Sequence, residues 1–103
     1  MGPIQDRVLR RLVAEAVRLR ADTLTIEYED GQEEVAAWRG AIGQGIARLP
    51  SSSPEAASLL RELHAIAGQR WGITLDGQEY EVFCRVQESF GEDTFRLELK
   101  RVV

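Results

Sequence analysis

The fold is decided by residues 71–87, which have the sequence WGITLDGQEYEVFCRVQ. At the centre stands Asp76-Gly77, a dipeptide typical of two-residue hairpin turns. On both sides lie runs rich in β-branched and aromatic residues. After the turn, apolar and polar residues alternate, which is the period of a half-buried strand. This segment therefore predicts an antiparallel hairpin.

A second hairpin is predicted near the beginning of the chain. Apolar residues alternate with polar ones over 24–28, Asp30-Gly31 supplies another turn, and 35–39 can form the returning strand. The pattern leaves the register of the returning strand open. The core-facing pair is either Ala36 and Trp38 or Val35 and Ala37.

Two amphipathic helices are predicted, one before the first hairpin and one between the two hairpins. The second helix has Ser53 as its N-cap, Pro54 in its first turn and Gly68 at its end. The first helix follows Pro3 and carries a stripe of helical period at Ile4, Val8, Leu9, Leu12, Val13, Ala16 and Val17. Residues 40–53, rich in glycine and serine, are expected to form a connecting loop with a short extended piece at 46–49.

These elements predict one α+β domain over residues 1–103. About five strands form a largely antiparallel sheet, and both helices cover one of its faces. The last strand, 95–103, can lie at a sheet edge, where its charged residues would limit the chain to a monomer or a weak dimer. The expected core cluster comprises Val8, Leu12, Ile26, Leu63, Val82, Cys84 and Leu97.

Composition excludes several classes of function. The chain has 103 residues and a net charge of −4, which argues against a nucleic-acid ligand held by overall charge. No apolar run approaches the ~20 residues that a membrane-spanning helix needs, and no signal-peptide core follows Met1. The single cysteine, Cys84, cannot form an internal disulfide, so we expect a reducing, cytoplasmic setting.

Residues that could carry chemistry are few. His64 is the only histidine and no paired Cys or His spacing occurs, so we expect no metal, no cofactor and no catalytic residue. The glycines at 40, 43 and 45 match neither the dinucleotide fingerprint nor a Walker A loop. The most prominent surface feature is an arginine stripe on the first helix, formed by Arg7, Arg11 and Arg18. This stripe is either a solvated helix face or a patch for an acidic protein surface.

The order of elements and three short motifs resemble a known module. The run at 14–27 is similar to the opening of the domain that precedes the motor in type II secretion and type IV pilus assembly ATPases. That domain has a strand of the form Ala-Ser-Asp-Ile-His-Ile-Glu; Ala21, Ile26 and Glu27 match it, and Leu24 stands in for an isoleucine. Its polar positions are replaced here by Asp22, Thr23 and Thr25. The strand at 77–86 and the Gly91-Glu92 turn with the strand at 95–99 are similar to later elements of the family.

The resemblance covers residues 8–102 and implies a PAS-like fold. In the family this domain packs on a RecA-like motor and supplies arginines near the nucleotide, and Arg39 and Arg85 fall at similar positions. The motor and its Walker motifs are absent from this chain, so ATP hydrolysis is not implied. Two interpretations stay open at this point: the chain is either a fragment of a longer ATPase or a stand-alone relative without the motor. For the stand-alone relative, the resemblance implies a non-enzymatic protein-interaction module whose partner belongs to secretion or pilus machinery.

Two other functions remain open from the sequence. A small-ligand sensor would use 40–53 as a lid over a pocket. An enzyme would require His64 in a cleft beside a carboxylate or Cys84. For an interaction module, the alternation around Phe83 and Arg85 predicts that their sheet face is open to water or to a partner, with Arg85 either free to bind that partner or paired with Glu81 or Glu98.

Overall fold

The structure is a computed structural model that describes residues 7–89 and 91–103. Ile4 and Pro3, which were expected in the first helix, lie outside the described residues. The elements in chain order are helix α1 (Arg7–Arg18), strands β1 (Thr23–Glu29), β2 (Gln32–Arg39) and β3 (Ile42–Pro50), helix α2 (Pro54–Ile66), and strands β4 (Arg70–Leu75), β5 (Gln78–Ser89) and β6 (Glu92–Arg101).

The strands form one six-stranded sheet in the order β3-β2-β1-β6-β5-β4. Every neighbouring pair is antiparallel. The α+β class with two helices and an antiparallel sheet is therefore confirmed, and the sheet has six strands where about five were predicted. Two three-stranded meanders, β1 to β3 and β4 to β6, join through the pairing of β1 with β6.

Ile42–Pro50 forms β3, so the loop predicted over 40–53 is wrong for 42–45 and for Pro50, while the extended piece predicted at 46–49 lies within the strand. Its glycines look like strand breakers, but Gly43 is required by its neighbour. A Cβ on Gly43 would lie 2.7 Å from atoms of the Trp38 ring, so only glycine lets the indole lie across this strand. A register shift opposite Val35 and Ala36 adds a β-bulge, which further hides the alternation that identifies a strand.

The last strand does not occupy the edge position that the sequence left open for it. The central strand β6 pairs with β1 on one side and with β5 on the other. Arg96, Glu98 and Lys100 alternate with the buried Phe95 and Leu97, so they lie on the exposed face of a central strand and guard no edge. The two edges of the sheet are β3 and β4.

The hairpin turns and the second helix form where the sequence placed them. Asp30-Gly31 and Asp76-Gly77 have positive φ at both residues, as a type I′ turn requires. The hydroxyl of Ser53 accepts a hydrogen bond from the backbone N–H of Ala56 at 3.1 Å, which caps α2. Gly68, with φ of 76°, turns the chain out of the helix.

Both helices pack on one face of the sheet and form a single core with it. All seven predicted core residues are buried in that cluster, and Val35 and Ala37 are the core-facing pair of β2. The largest fully buried side chains include Phe95, Leu9, Leu24, Ile26, Leu59 and Leu63. Within the described part of the chain, neither helix is long and apolar enough to span a bilayer.

Candidate interaction surface

The sheet face that points away from the helices is the open face. Side chains alternate along β5, so Val82 and Cys84 point into the core while Phe83 and Arg85 point outward. This arrangement confirms the expected orientation of Phe83 and Arg85. An apolar aromatic on an uncovered sheet face is the feature from which the candidate surface is built.

Phe83 is half-buried between two arginines. The guanidinium carbon of Arg85 lies 4.8 Å from the ring centroid, and that of Arg70, directly across on β4, lies 5.6 Å away. Both distances are within the range of a cation–π contact. Guanidinium groups on an aromatic ring present a surface that is both apolar and cationic.

Each arginine also forms an ion pair with a glutamate of the same face. Arg85 Nε donates to a carboxylate oxygen of Glu98 at 3.1 Å, and Arg70 Nη1 donates to Glu81 at 3.3 Å. Of the two alternatives considered for Arg85, pairing with Glu98 is thus present in the structure. The Arg85 side chain nevertheless remains 60% exposed, so its guanidinium is accessible to a partner. We name these five residues the Phe83 patch: Arg70, Glu81, Phe83, Arg85 and Glu98.

A second aromatic residue, Trp38, lies on the open face of β2, and strands β1 and β6 separate it from Phe83 on β5. Its indole N–H donates to the hydroxyl of Thr25 at 2.9 Å, and its ring covers Gly43 of β3. These contacts hold Trp38 half-buried against the sheet. The open face therefore has an aromatic side chain in each meander, with the polar residues of β1 and β6 between them.

The predicted helix stripe is engaged in local contacts. Arg11 donates to Glu55 of α2 at 3.1 Å, and Arg18 donates to Glu15 at 3.5 Å in its own helix. Arg7 is the first residue of α1, and its side chain lies outside the described part. The two described arginines of the stripe lie on the helix side of the molecule, and the sheet separates them from the Phe83 patch.

Arg39 and Arg85 do not belong to one site. Arg39 follows the core-facing Val35 and Ala37 at spacings of four and two residues at the end of β2, so it lies on the same, helix side of the sheet. Arg85 lies on the open face of β5. The two arginines that the resemblance brought together are separated by the sheet itself and cannot contact one small ligand jointly.

Arg70 is the patch residue that sequence reasoning did not select. It begins a short strand, and its position across from Phe83 depends on the β4–β5 register. The Asp76-Gly77 turn was the available signal, because counting outward from that turn pairs residue 70 with residue 83.

Asp22 is a second residue with an unforeseen structural role. Its carboxylate accepts a hydrogen bond from the backbone N–H of Gly40 at 2.9 Å and one from the Thr23 hydroxyl at 2.9 Å. These bonds, that from Gly40 foremost, lower the pKa of the Asp22 carboxyl below 3.8. Asp22 thereby fixes the β2–β3 turn to the start of β1.

His64 lies beside a carboxylate, as the enzyme hypothesis would need. Its Nε2 is 3.5 Å from Asp93, and its ring meets Phe95 edge-on with centroids 5.0 Å apart. The two residues line a depression of about 260 Å³ together with Glu33 and Tyr28. Cys84 is not part of this group, and burial raises the pKa of its thiol to about 11, so the protonated, unreactive form prevails at neutral pH.

The segment expected to act as a lid is a hydrogen-bonded strand. A depression of about 230 Å³ lies beside it, between the end of α1 and the β2–β3 turn, and Leu19 and Ile42 line it. Among the described residues, no group of three or more histidine, cysteine or acidic side chains is placed to hold a metal ion.

No family model matches the chain, and no curated protein matches it.

Proposed function

We propose that this chain is a non-enzymatic protein-interaction module, a domain like the one that precedes the motor in secretion and pilus assembly ATPases, without ATPase activity of its own. The observation that carries the proposal is the Phe83 patch. A half-buried aromatic between two guanidinium groups, on a sheet face that neither helix covers, supports a role as the centre of a protein contact.

The charges around the patch favour an acidic partner surface. Arg96 lies directly across from Arg85, and Lys100 across from Glu81, so both extend the patch along β6. Together with Arg70 and Arg85 they give four cations against the two carboxylates of Glu81 and Glu98. Complementary negative charge on the partner would speed its association and orient it on the sheet.

The ion pairs of the patch also suit reversible binding. Exposed pairs such as Arg85–Glu98 contribute about 0–1 kcal/mol to folding, so a partner carboxylate can replace Glu98 at little cost to stability. Phe83 stays on the open face when the arginines change partners, because its orientation is set by its position in the paired strand β5.

The resemblance suggests the partner. We infer a PAS-like domain in the cytoplasm that docks on the RecA-like motor of a secretion or pilus assembly ATPase. The net charge of −4 argues against a nucleic acid as the partner. A small-ligand sensor with a lid at 40–53 has less support, because the segment that would open is paired with β2 along the sheet.

The test is a binding titration with a defined probe, the purified motor domain of the secretion or pilus assembly ATPase from the same organism. We expect saturable binding by the wild-type chain and a loss of roughly tenfold or more in affinity for Phe83→Ala, as for a central interface aromatic. Arg48→Ala is the control for loss of a strand side chain outside the patch, because Arg48 lies on β3, far from β5 in the sheet, in an exposed ion pair 3.5 Å from Glu34.

Equal affinity of wild type and Phe83→Ala would refute the Phe83 patch as the docking surface. Absence of any binding to the motor domain would refute the partner proposed from the resemblance. ATP hydrolysis by the purified chain alone would refute the non-enzymatic assignment.

A further inference from the structure

The two edges of the sheet differ in how well they are protected against another strand. At the β4 edge, Arg10 of α1 donates to the carbonyl of Thr74 at 2.6 Å, so a side chain already occupies a backbone acceptor there. The strand at the β3 edge has no charged residue between Gly40 and Ala47. Its Ile42 side chain is 78% exposed. Charged side chains are the usual protection of an edge strand, so the β3 edge is the unprotected one.

The backbone of β3 presents its free hydrogen-bonding groups at two glycines. The carbonyl of Trp38 accepts from Asp22 at 2.8 Å, so it points toward β1 and away from β3. Trp38 and Gly43 therefore form a non-hydrogen-bonded pair, and the N–H and C=O of Gly43 point outward. Gly45, two residues on, points the same way, and a Cβ there would meet nothing within 4 Å.

We propose that β3 pairs antiparallel with β3 of a second copy of this chain, centred on Gln44. In this register Gly43 lies opposite the second copy's Gly45, and each such pair exchanges both N–H···O=C bonds. Ile42 lies opposite the second copy's Ile46 on the helix side, which covers the exposed Ile42. The two Gln44 side chains meet at the two-fold axis, where their amides can hydrogen-bond to each other.

The sequence of β3 fits a second copy because no like charges oppose each other in this register. The nearest charged residue, Arg48, is paired with Glu34 and lies opposite Gly40 of the other copy. The bulge at Ile46 ends the regular part of the strand and keeps the paired segment short. The dimer is therefore weak and forms only at high concentration. This inference does not depend on the Phe83 patch, which lies on β4, β5 and β6 at the opposite end of the strand order.

The test is sedimentation equilibrium from micromolar to millimolar concentration, with a charge-reversal design at the two-fold axis. Wild type is expected to show a monomer–dimer equilibrium. Gln44→Lys and Gln44→Glu each place like charges at the centre of the dimer, so each weakens self-association by roughly tenfold or more. A one-to-one mixture of the two variants is expected to associate again, because opposite charges then meet.

Thr74→Lys, on the other edge strand, is the matched control and leaves the equilibrium unchanged. Circular dichroism verifies that every variant is folded. A chain that stays monomeric at millimolar concentration, or a dimer that neither Gln44 variant weakens, overturns the proposal. Failure of the mixture to associate overturns the register centred on Gln44.

Discussion

Arg85 lies with its guanidinium carbon 4.8 Å from the ring centroid of Phe83, two residues before it on the same strand, while its Nε donates to Glu98 at 3.1 Å. The same cation thus contacts an aromatic ring and a carboxylate on a sheet face that neither helix covers. This relationship makes the open face, rather than the arginine stripe of α1, the best candidate for a protein contact.

Arg85→Ala is expected to separate stability from binding. Because the Arg85–Glu98 pair is exposed, the variant should lose no more than about 1 kcal/mol of unfolding free energy. Its affinity for the motor domain should fall, since the guanidinium is part of the docking surface. Chemical denaturation and the binding titration measure the two effects, and a large loss of stability with unchanged binding would contradict this role.

Gly43→Ala is expected to destabilise the protein by about 1–3 kcal/mol. The new methyl group would lie 2.7 Å from ring atoms of Trp38, whose indole is fixed by its hydrogen bond to Thr25. Gly45→Ala in the same strand meets open space and should change stability by only about 0.5 kcal/mol. Urea denaturation followed by tryptophan fluorescence compares them, and equal stabilities would show that the indole does not require glycine at position 43.

Leu63→Ala is expected to cost about 2–5 kcal/mol, because Leu63 is fully buried in the core between α2 and the sheet. Leu19→Ala removes the same atoms from a side chain that is 37% exposed, so it should cost clearly less. Thermal and chemical denaturation of both variants provide the measurement. A Leu63 variant as stable as the Leu19 variant would mean that α2 packs on the sheet with another face.

The pKa of the Asp22 carboxyl is expected to lie below its ordinary value of 3.8, chiefly because the carboxylate accepts the hydrogen bond from Gly40. Since the pKa is lower in the folded state, the contribution of Asp22 to stability is complete above 3.8 and is lost as the pH falls through the folded pKa. Carbon NMR of the side-chain carboxyl gives the midpoint directly. A midpoint at or above 3.8 would show that Asp22 does not hold the β2–β3 turn in solution.

Local patterns in the sequence predicted the parts of the fold that depend on local interactions. The Asp30-Gly31 and Asp76-Gly77 turns, the Ser53 cap and the alternation around Val82 each depend on neighbours a few residues away. The orientation of Phe83 and Arg85 follows from that alternation alone. These features were predicted correctly because periodicity and turn chemistry are properties of a short segment.

The missed features depend on residues that are distant in sequence. That Ile42–Pro50 is a strand follows from the fit of Trp38 over Gly43 and from the bulge, neither of which appears in a propensity pattern. The central position of β6 follows from its pairing with β1, more than sixty residues earlier in the chain. The pairing of Arg70 with Phe83, by contrast, was available from the sequence, because the Asp76-Gly77 turn fixes the register of β4 on β5.

Acylation of Lys100 tests the central claim, that a protein partner docks on the open face, most directly. Lys100 is the only lysine of the chain and lies on the exposed side of β6, across from Glu81. A limiting amount of an amine-reactive ester, with and without saturating motor domain, reports the accessibility of this one side chain by mass spectrometry. The account predicts that a motor-domain concentration just sufficient to saturate the wild type strongly slows Lys100 acylation there and slows it clearly less in Phe83→Ala. An unchanged rate in a saturated wild-type complex would contradict it, because the partner would then lie elsewhere.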